Sequence, residues 1–285
     1  MSTRETTSAI TAKMASFLEA IKPGFVHARE EPHEHEGWRR LTFPSGVQCV
    51  THTVPIETEY LYNELFETRV YADELIDITD GDTIVDVGAH IGLFSMSVLM
   101  DCPGVRVHAI EPVPQTFEVL KENLSRFPGS EVQLHNVGLG ATDGERATLS
   151  VYPLWLANTT SHPHIHDQQR EGLAAVFTPE ELEEAYGTAL SITVPITTLS
   201  ALIRTAGVET VDLLKINTEG AEIDILNGIE SADWKRIQQV CMEVHDEVRT
   251  LSSVVEILEG NGLSSRVRED TREAHGTVIV VARRT

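Results

Sequence analysis

The chain has 285 residues, enough for one large α/β domain with additions or for two small domains. Its 44 acidic and 22 basic residues give a formal charge of −22, which repels phosphate backbones and anionic lipids and argues against nucleic acid or a membrane surface as partner. Cys49, Cys102 and Cys241 lie in or beside apolar runs, as free thiols do; with no signal peptide and no apolar run near the ~20 residues of a membrane span, a soluble cytoplasmic protein is expected.

Ile10, Met14, Phe17, Leu18 and Ile21 recur at helical spacing and predict a helix over 8–21. The charged stretch 27–37 reads as a solvated loop, and Trp38 to Thr53 as a hairpin turning at Pro44-Ser45-Gly46. A helix is expected over 57–71. Residues 1–75 therefore read as a cap of helix, hairpin and helix packed on the rest, contributing to a substrate pocket and offering candidate elements for a homodimer.

From Asp80-Gly81 the pattern changes to regular alternation. Strands are predicted at 83–87, 105–110, 132–135 and 147–151, with helices at about 92–101 and 114–127. Residues 152–190 interrupt this with a polar stretch containing Trp155, His162, His164 and His166, then a capping box at Thr178 and Glu181. It reads as a lid; in a strand the three histidines would share a face and could ligate zinc, although no spaced carboxylate accompanies them. Strands follow at 191–198, 211–216 and 237–244, with helices at 199–206, 223–229 and 251–260. A closing pair is predicted at 263–267 and 277–282. Strand–helix alternation at this period predicts a doubly wound, mostly parallel sheet over residues 76–285.

Within it, Thr83-Ile-Val-Asp-Val is a buried strand, and Gly88-Ala89-His90-Ile91-Gly92 a tight turn into a helix. Such a turn presents backbone N–H groups at the carboxyl edge of a sheet, where open α/β sheets bind ligands. Glu111-Pro112 ends the next strand, 25 residues after Asp86. An acid at that tip is placed to accept hydrogen bonds from both hydroxyls of a ribose. The turn lacks the third glycine of a dinucleotide fingerprint, and Asp86 just before it would repel a pyrophosphate. A nucleoside with a sulfonium and an ammonium, S-adenosylmethionine, suits it better than NAD. Other strand ends carry Asn136, Asn217, Glu219, Glu222 and His245. If the acceptor is a hydroxyl, a general base must take its proton: His245 titrates in the right range, with Glu219 or Glu222 orienting it or replacing it.

Asp86-Val-Gly-Ala-His-Ile-Gly92, Glu111-Pro112, Asn136-Val137-Gly-Leu and Leu214-Lys-Ile-Asn-Thr-Glu-Gly-Ala-Glu222 resemble the FkbM-type S-adenosylmethionine-dependent methyltransferases over about residues 80–245. The resemblance implies a class I methyltransferase sheet of seven strands with the last antiparallel, and O-methylation of hydroxyls on natural products such as macrolides and on sugars. It carries Gly88 and Glu111 over as donor-binding residues, with Ala89, His90, Gly92, Pro112, Asn136 and Val137 in the same motifs. The stretch holding Asn217 and Glu219 carries over as a signature near a small-molecule acceptor. His90 stands where the family usually has Asn, Asn217 where it has Asp, and Ser200 where Thr-Leu-Asp is common. Asn217 cannot act as a base, and with Ser200 it motivates a donor-binding module without catalysis as one alternative; an NAD-dependent oxidoreductase on a similar sheet is another, disfavoured by the missing third glycine. No metal is assigned.

Overall fold

A computed structural model describes residues 3–22, 24–174, 176–187, 189–245, 248–269 and 278–285. The chain opens with helix α1 (Thr3–Ile21), strands β1 (Arg29–Pro32), β2 (Arg39–Thr42) and β3 (Gln48–Thr51), and helix α2 (Pro55–Tyr62). Then come β4 (Thr83–Val87), α3 (Leu93–Asp101), β5 (Arg106–Ile110), α4 (Pro114–Leu124), β6 (Glu131–His135), β7 (Gly138–Leu139) and β8 (Arg146–Val151). The insertion carries α5 (His166–Leu173) and α6 (Pro179–Leu182) before β9 (Leu190–Thr197) and α7 (Leu199–Thr205). The chain closes with β10 (Leu213–Ile216), α8 (Glu222–Asn227), β11 (Gln239–Val244), α9 (Val248–Gly260), β12 (Leu263–Glu269) and β13 (Val278–Arg284). The expected start of the last strand, Thr277, lies outside the described residues.

The main sheet has seven strands in the order β12-β13-β11-β10-β4-β5-β6. Neighbours from β11 to β6 pair in parallel, while β13 runs antiparallel between β11 and β12. This is the expected doubly wound sheet with its antiparallel closing strand. Thr-Ile-Val-Asp-Val of β4 is buried at every position, as a central strand covered on both faces must be. One apolar layer, with Ile84, Leu99, Val107 and Leu120, fills one face. The other layer, with Val85, Leu202, Leu214 and Leu258, fills the opposite face.

Three expectations need correction. The charged stretch 27–37 is not all loop: β1 adds to the β2–β3 hairpin, its charges joined across strands by the ion pair Glu30–Arg39 at 2.8 Å. The helix expected over 57–71 stops being α-helical at Tyr62 and widens into a π turn over 63–67, with the Asn63 amide bonded to the Glu59 and Val26 carbonyls. The strands at 146–151 and 190–197 leave the main sheet and form a separate one with β7, so only the five parallel strands of the main sheet end at the crevice.

The cap divides between two supports. Its hairpin packs on α4, where the Asn123 side chain exchanges hydrogen bonds with both backbone groups of Val50. Helix α1 packs instead on the insertion, in an apolar cluster joining Ile10, Met14 and Leu18 to Trp155, Leu173 and Tyr186. The insertion is thus a packed element and not a loose polar lid. Its histidines do not alternate as in a strand: residues 163–165 form a 3₁₀ turn, His162 bonds Ser161, and His166 bonds the Asn158 carbonyl. The zinc reading fails on that geometry.

Candidate active site

The carboxyl ends of the parallel strands open into a cavity of about 570 Å³ roofed by α1, α2 and the insertion. The turn after β4 forms its floor. Gly88 takes φ +72°, and a Cβ there would overlap the Asn217 carbonyl oxygen, so only glycine allows this approach of two loops. Ala89 and His90 also line the cavity. His90 adopts φ +51°, which turns its N–H onto Glu111 Oε2 at 3.0 Å. Burial pushes its imidazole down to about 3, with His52 and Lys215 adding to the effect, so the ring is neutral.

Glu111 lies at the tip of β5 and lines the cavity beside Pro112. Each carboxyl oxygen already accepts one backbone N–H, from His90 and from Val113, the latter at 2.8 Å. The second lone pair of each remains for a ligand. Burial raises this carboxyl to about 7, although both N–H groups and Lys215 pull it down.

Four expected contacts are placed elsewhere. Asp86 is fully buried behind the cavity wall, paired with Lys215 at 2.9 Å and bonded by Ser95 Oγ at 2.7 Å, so its charge is balanced there and reaches the cavity only by helping to hold the Glu111 carboxyl up. Gly92 caps α3 at φ +92° and packs on Leu120. Asn136 braces the Glu111 and Pro112 carbonyls, and Val137 packs into the core; neither lines the cavity, and Gly138 to Ala141 stand there instead.

The rim at β10 and β11 is one hydrogen-bonded cluster. His245 is held by Glu222 on Nδ1 at 3.0 Å and by Glu219 on Nε2 at 3.2 Å, with Glu243 at 3.8 Å. Burial opposes its charge, but Glu219 and Glu222 outweigh that and hold it well above the ordinary histidine value. It is an imidazolium with both nitrogens donating, which removes it as a general base. Burial would raise Glu219, yet the His245 charge holds it below the usual carboxylate range. Glu222 is fully buried outside the cavity wall and acts on His245, while its Oε1 also accepts the Gly220 N–H. Asn217 lines the cavity and donates to Glu243 Oε2 at 2.6 Å and to the Tyr71 hydroxyl at 3.2 Å. Even with His245 charged, this rim carries more acid than base.

Glu243 and Tyr71 were not among the residues expected from the sequence. An acid next to last in a strand, directly after the apolar run Val240-Cys-Met242, was the available signal for the first. Tyr71 belonged to an expected cap helix, and only folding carries it to β10.

Residues 86–263 match the family described as "Methyltransferase FkbM domain". The chain is 34% identical over 255 residues to the 31-O-demethyl-FK506 methyltransferase FkbM of Streptomyces tacrolimicus, covering 86% of this chain and 96% of that one. It is 29% identical over 216 residues to the methyltransferase sdnD of Sordaria araneosa, covering 73% and 82%. Among solved structures, the methyltransferase FkbM of Methylobacillus flagellatus superposes with a TM-score of 0.52 at 16% identity, over 79% of this chain and half the length of that one.

Proposed function

Because the chain belongs to the FkbM-type methyltransferase family, we propose that it transfers a methyl group from S-adenosylmethionine to a hydroxyl of a small natural product. Glu111 carries the donor reading: an acid at the second strand tip, anchored by two N–H groups and facing the cavity with lone pairs to spare. The glycine turn gives a ribose and its substituents close access to backbone, and the acid-rich rim of Glu219, Glu222 and Glu243 favours a cationic ligand. The donor, when bound, supplies a methyl carbon already activated by the positive sulfur. The protein's own residues then position the acceptor and receive its proton. That proton falls to a carboxylate, since His245 is doubly protonated and His90 is pushed down to about 3. Glu219 and Glu243 are the acids of the rim cluster that line the cavity. The hydroxyl acceptor is supported by the Streptomyces relative, which is named for an O-demethylated compound.

Calorimetry with S-adenosylhomocysteine tests the donor site. Micromolar binding is expected, and Glu111→Ala should weaken it by about 1–3 kcal/mol through lost charged hydrogen bonds. Ribose hydroxyls donate to the ionised carboxyl, so the complex sheds the proton that the free protein holds below about 7. Affinity should accordingly rise with pH through that value in the wild type and stay flat in the variant. An unchanged dissociation constant in Glu111→Ala sinks the ribose placement. For the acceptor, mass spectrometry of metabolites from a gene-deleted strain should reveal a compound lighter by one methyl. That compound should then be methylated by the purified protein; binding of S-adenosylhomocysteine without any methylation would leave a donor-binding module.

A further inference from the structure

The loop after β10 turns through two left-handed residues in a row, Glu219 at φ +41° and Gly220 at φ +99°. Glycine adopts that conformation freely, whereas glutamate is strained in it and must be held there. The holding group comes from the insertion. Thr160, only 1% exposed, donates its hydroxyl to the Glu219 carbonyl at 2.5 Å. The same hydroxyl accepts the His162 N–H at 2.8 Å, and both backbone groups of Thr160 pair with Ser150 of β8. Thr160 is therefore fixed by the second sheet before it reaches Glu219. Gly220 is seated just as closely: a Cβ there would stand 3.3 Å from His162 and 3.4 Å from Ile165.

What this turn presents to the cavity depends on that contact. Glu219 Oε1 lies 3.2 Å from His245 Nε2. The Gly220 N–H is bonded to Glu222 Oε1, the same oxygen that takes His245 Nδ1. Relaxing Glu219 to negative φ would rotate its Cα–Cβ bond and carry the carboxylate out of the cluster. We propose that Thr160 is a positioning residue, whose hydroxyl locks the Glu219 peptide in the left-handed form and so aims the carboxylate at His245 and the cavity. The insertion then completes the rim as well as walling the cavity. This rests on the methyltransferase reading for what Glu219 does, which is to receive the acceptor's proton; the placement itself is read without turnover.

The test is the titration of His245 in the full chain, followed by NMR of the ¹⁵N-labelled imidazoles. The chain has 12 histidines, so the His245 signal is assigned by its loss in His245→Gln. His245 faces Glu219, Glu222 and Glu243, and His166 acts on Glu219 from the insertion. Thr160→Val keeps the shape but not the donor, and should lower the His245 midpoint by about one pH unit as the Glu219 charge withdraws. Thr160→Ser, which keeps the hydroxyl, should titrate with the wild type. So should Thr159→Val, which removes the neighbouring hydroxyl, bonded to the Leu156 carbonyl. In a Glu219→Gln background, adding Thr160→Val should shift the midpoint no further. An unmoved midpoint in Thr160→Val, an equal shift in Thr159→Val, or a full shift in the Glu219→Gln background would overturn the assignment. Should Thr160→Val fail to fold, a crystal structure of the unaltered chain decides: Glu219 at negative φ, or the Thr160 hydroxyl off its carbonyl, overturns it equally. Failure of S-adenosylhomocysteine to bind would instead strike the methyltransferase reading and leave the His245 titrations standing.

Discussion

Gly88→Ala is expected to abolish S-adenosylhomocysteine binding. The residue sits at φ +72°, where a Cβ alone costs roughly 1–2 kcal/mol. The larger effect is contact: the added carbon would overlap the Asn217 carbonyl oxygen and crowd the Thr218 methyl. Backbone cannot yield as the end of a flexible side chain can. The loops after β4 and β10 would have to separate, although Asn217 N–H is bonded to the Val87 carbonyl at 3.1 Å. Separation would displace Asn217, and with it the bonds to Tyr71 and Glu243. It would also move the Gly88 and Ala89 N–H groups off the Ile110 carbonyl, next to Glu111. Calorimetry would report the lost affinity, and circular dichroism whether the sheet survives. A variant that binds normally would show that the two loops do not meet as described.

Lys215→Met should be the most destabilising single change at the centre of the sheet. Lys215 is 4% exposed and Asp86 fully buried, and their ion pair spans neighbouring central strands. Removing the cation leaves a buried carboxylate with only Ser95 to hold it. Breaking one side of such a pair costs about 3–5 kcal/mol, on the order of 10 °C in thermal midpoint for a chain of this size. Adding Asp86→Asn should recover about half, since the unpaired charge disappears. Recovery stays partial because Lys215 Nζ also bonds the Gly88 carbonyl at 2.9 Å. A Lys215→Met protein melting with the wild type would mean that Asp86 is neutral and the pair is not an ion pair.

The strand, glycine turn and helix of residues 83–101, and the acid at the next strand tip, are legible in the amino-acid sequence. Each is specified within a few residues by β-branched runs, glycines and helical spacing. The stretch holding Asn217 and Glu219 is legible as the end of the strand that folds as β10. Electrostatics is harder to read. Asp86 looks like a ligand-facing charge because its neutralising partner, Lys215, is distant in sequence and adjacent only in the folded sheet. His245 looks like a base because nothing local announces two carboxylates at its nitrogens.

The sequence by itself therefore determined the order of strands and helices, the glycine turn after β4 and the acid at the tip of β5, because these follow from periodicity and from residues close along the chain. Tertiary structure alone decided which charges are paired, which strands leave the main sheet, and that Thr160 of the insertion meets the Glu219 carbonyl. Those outcomes depend on what burial removes from water and on which distant side chain then stands within hydrogen-bonding reach. Local pattern does not carry that information.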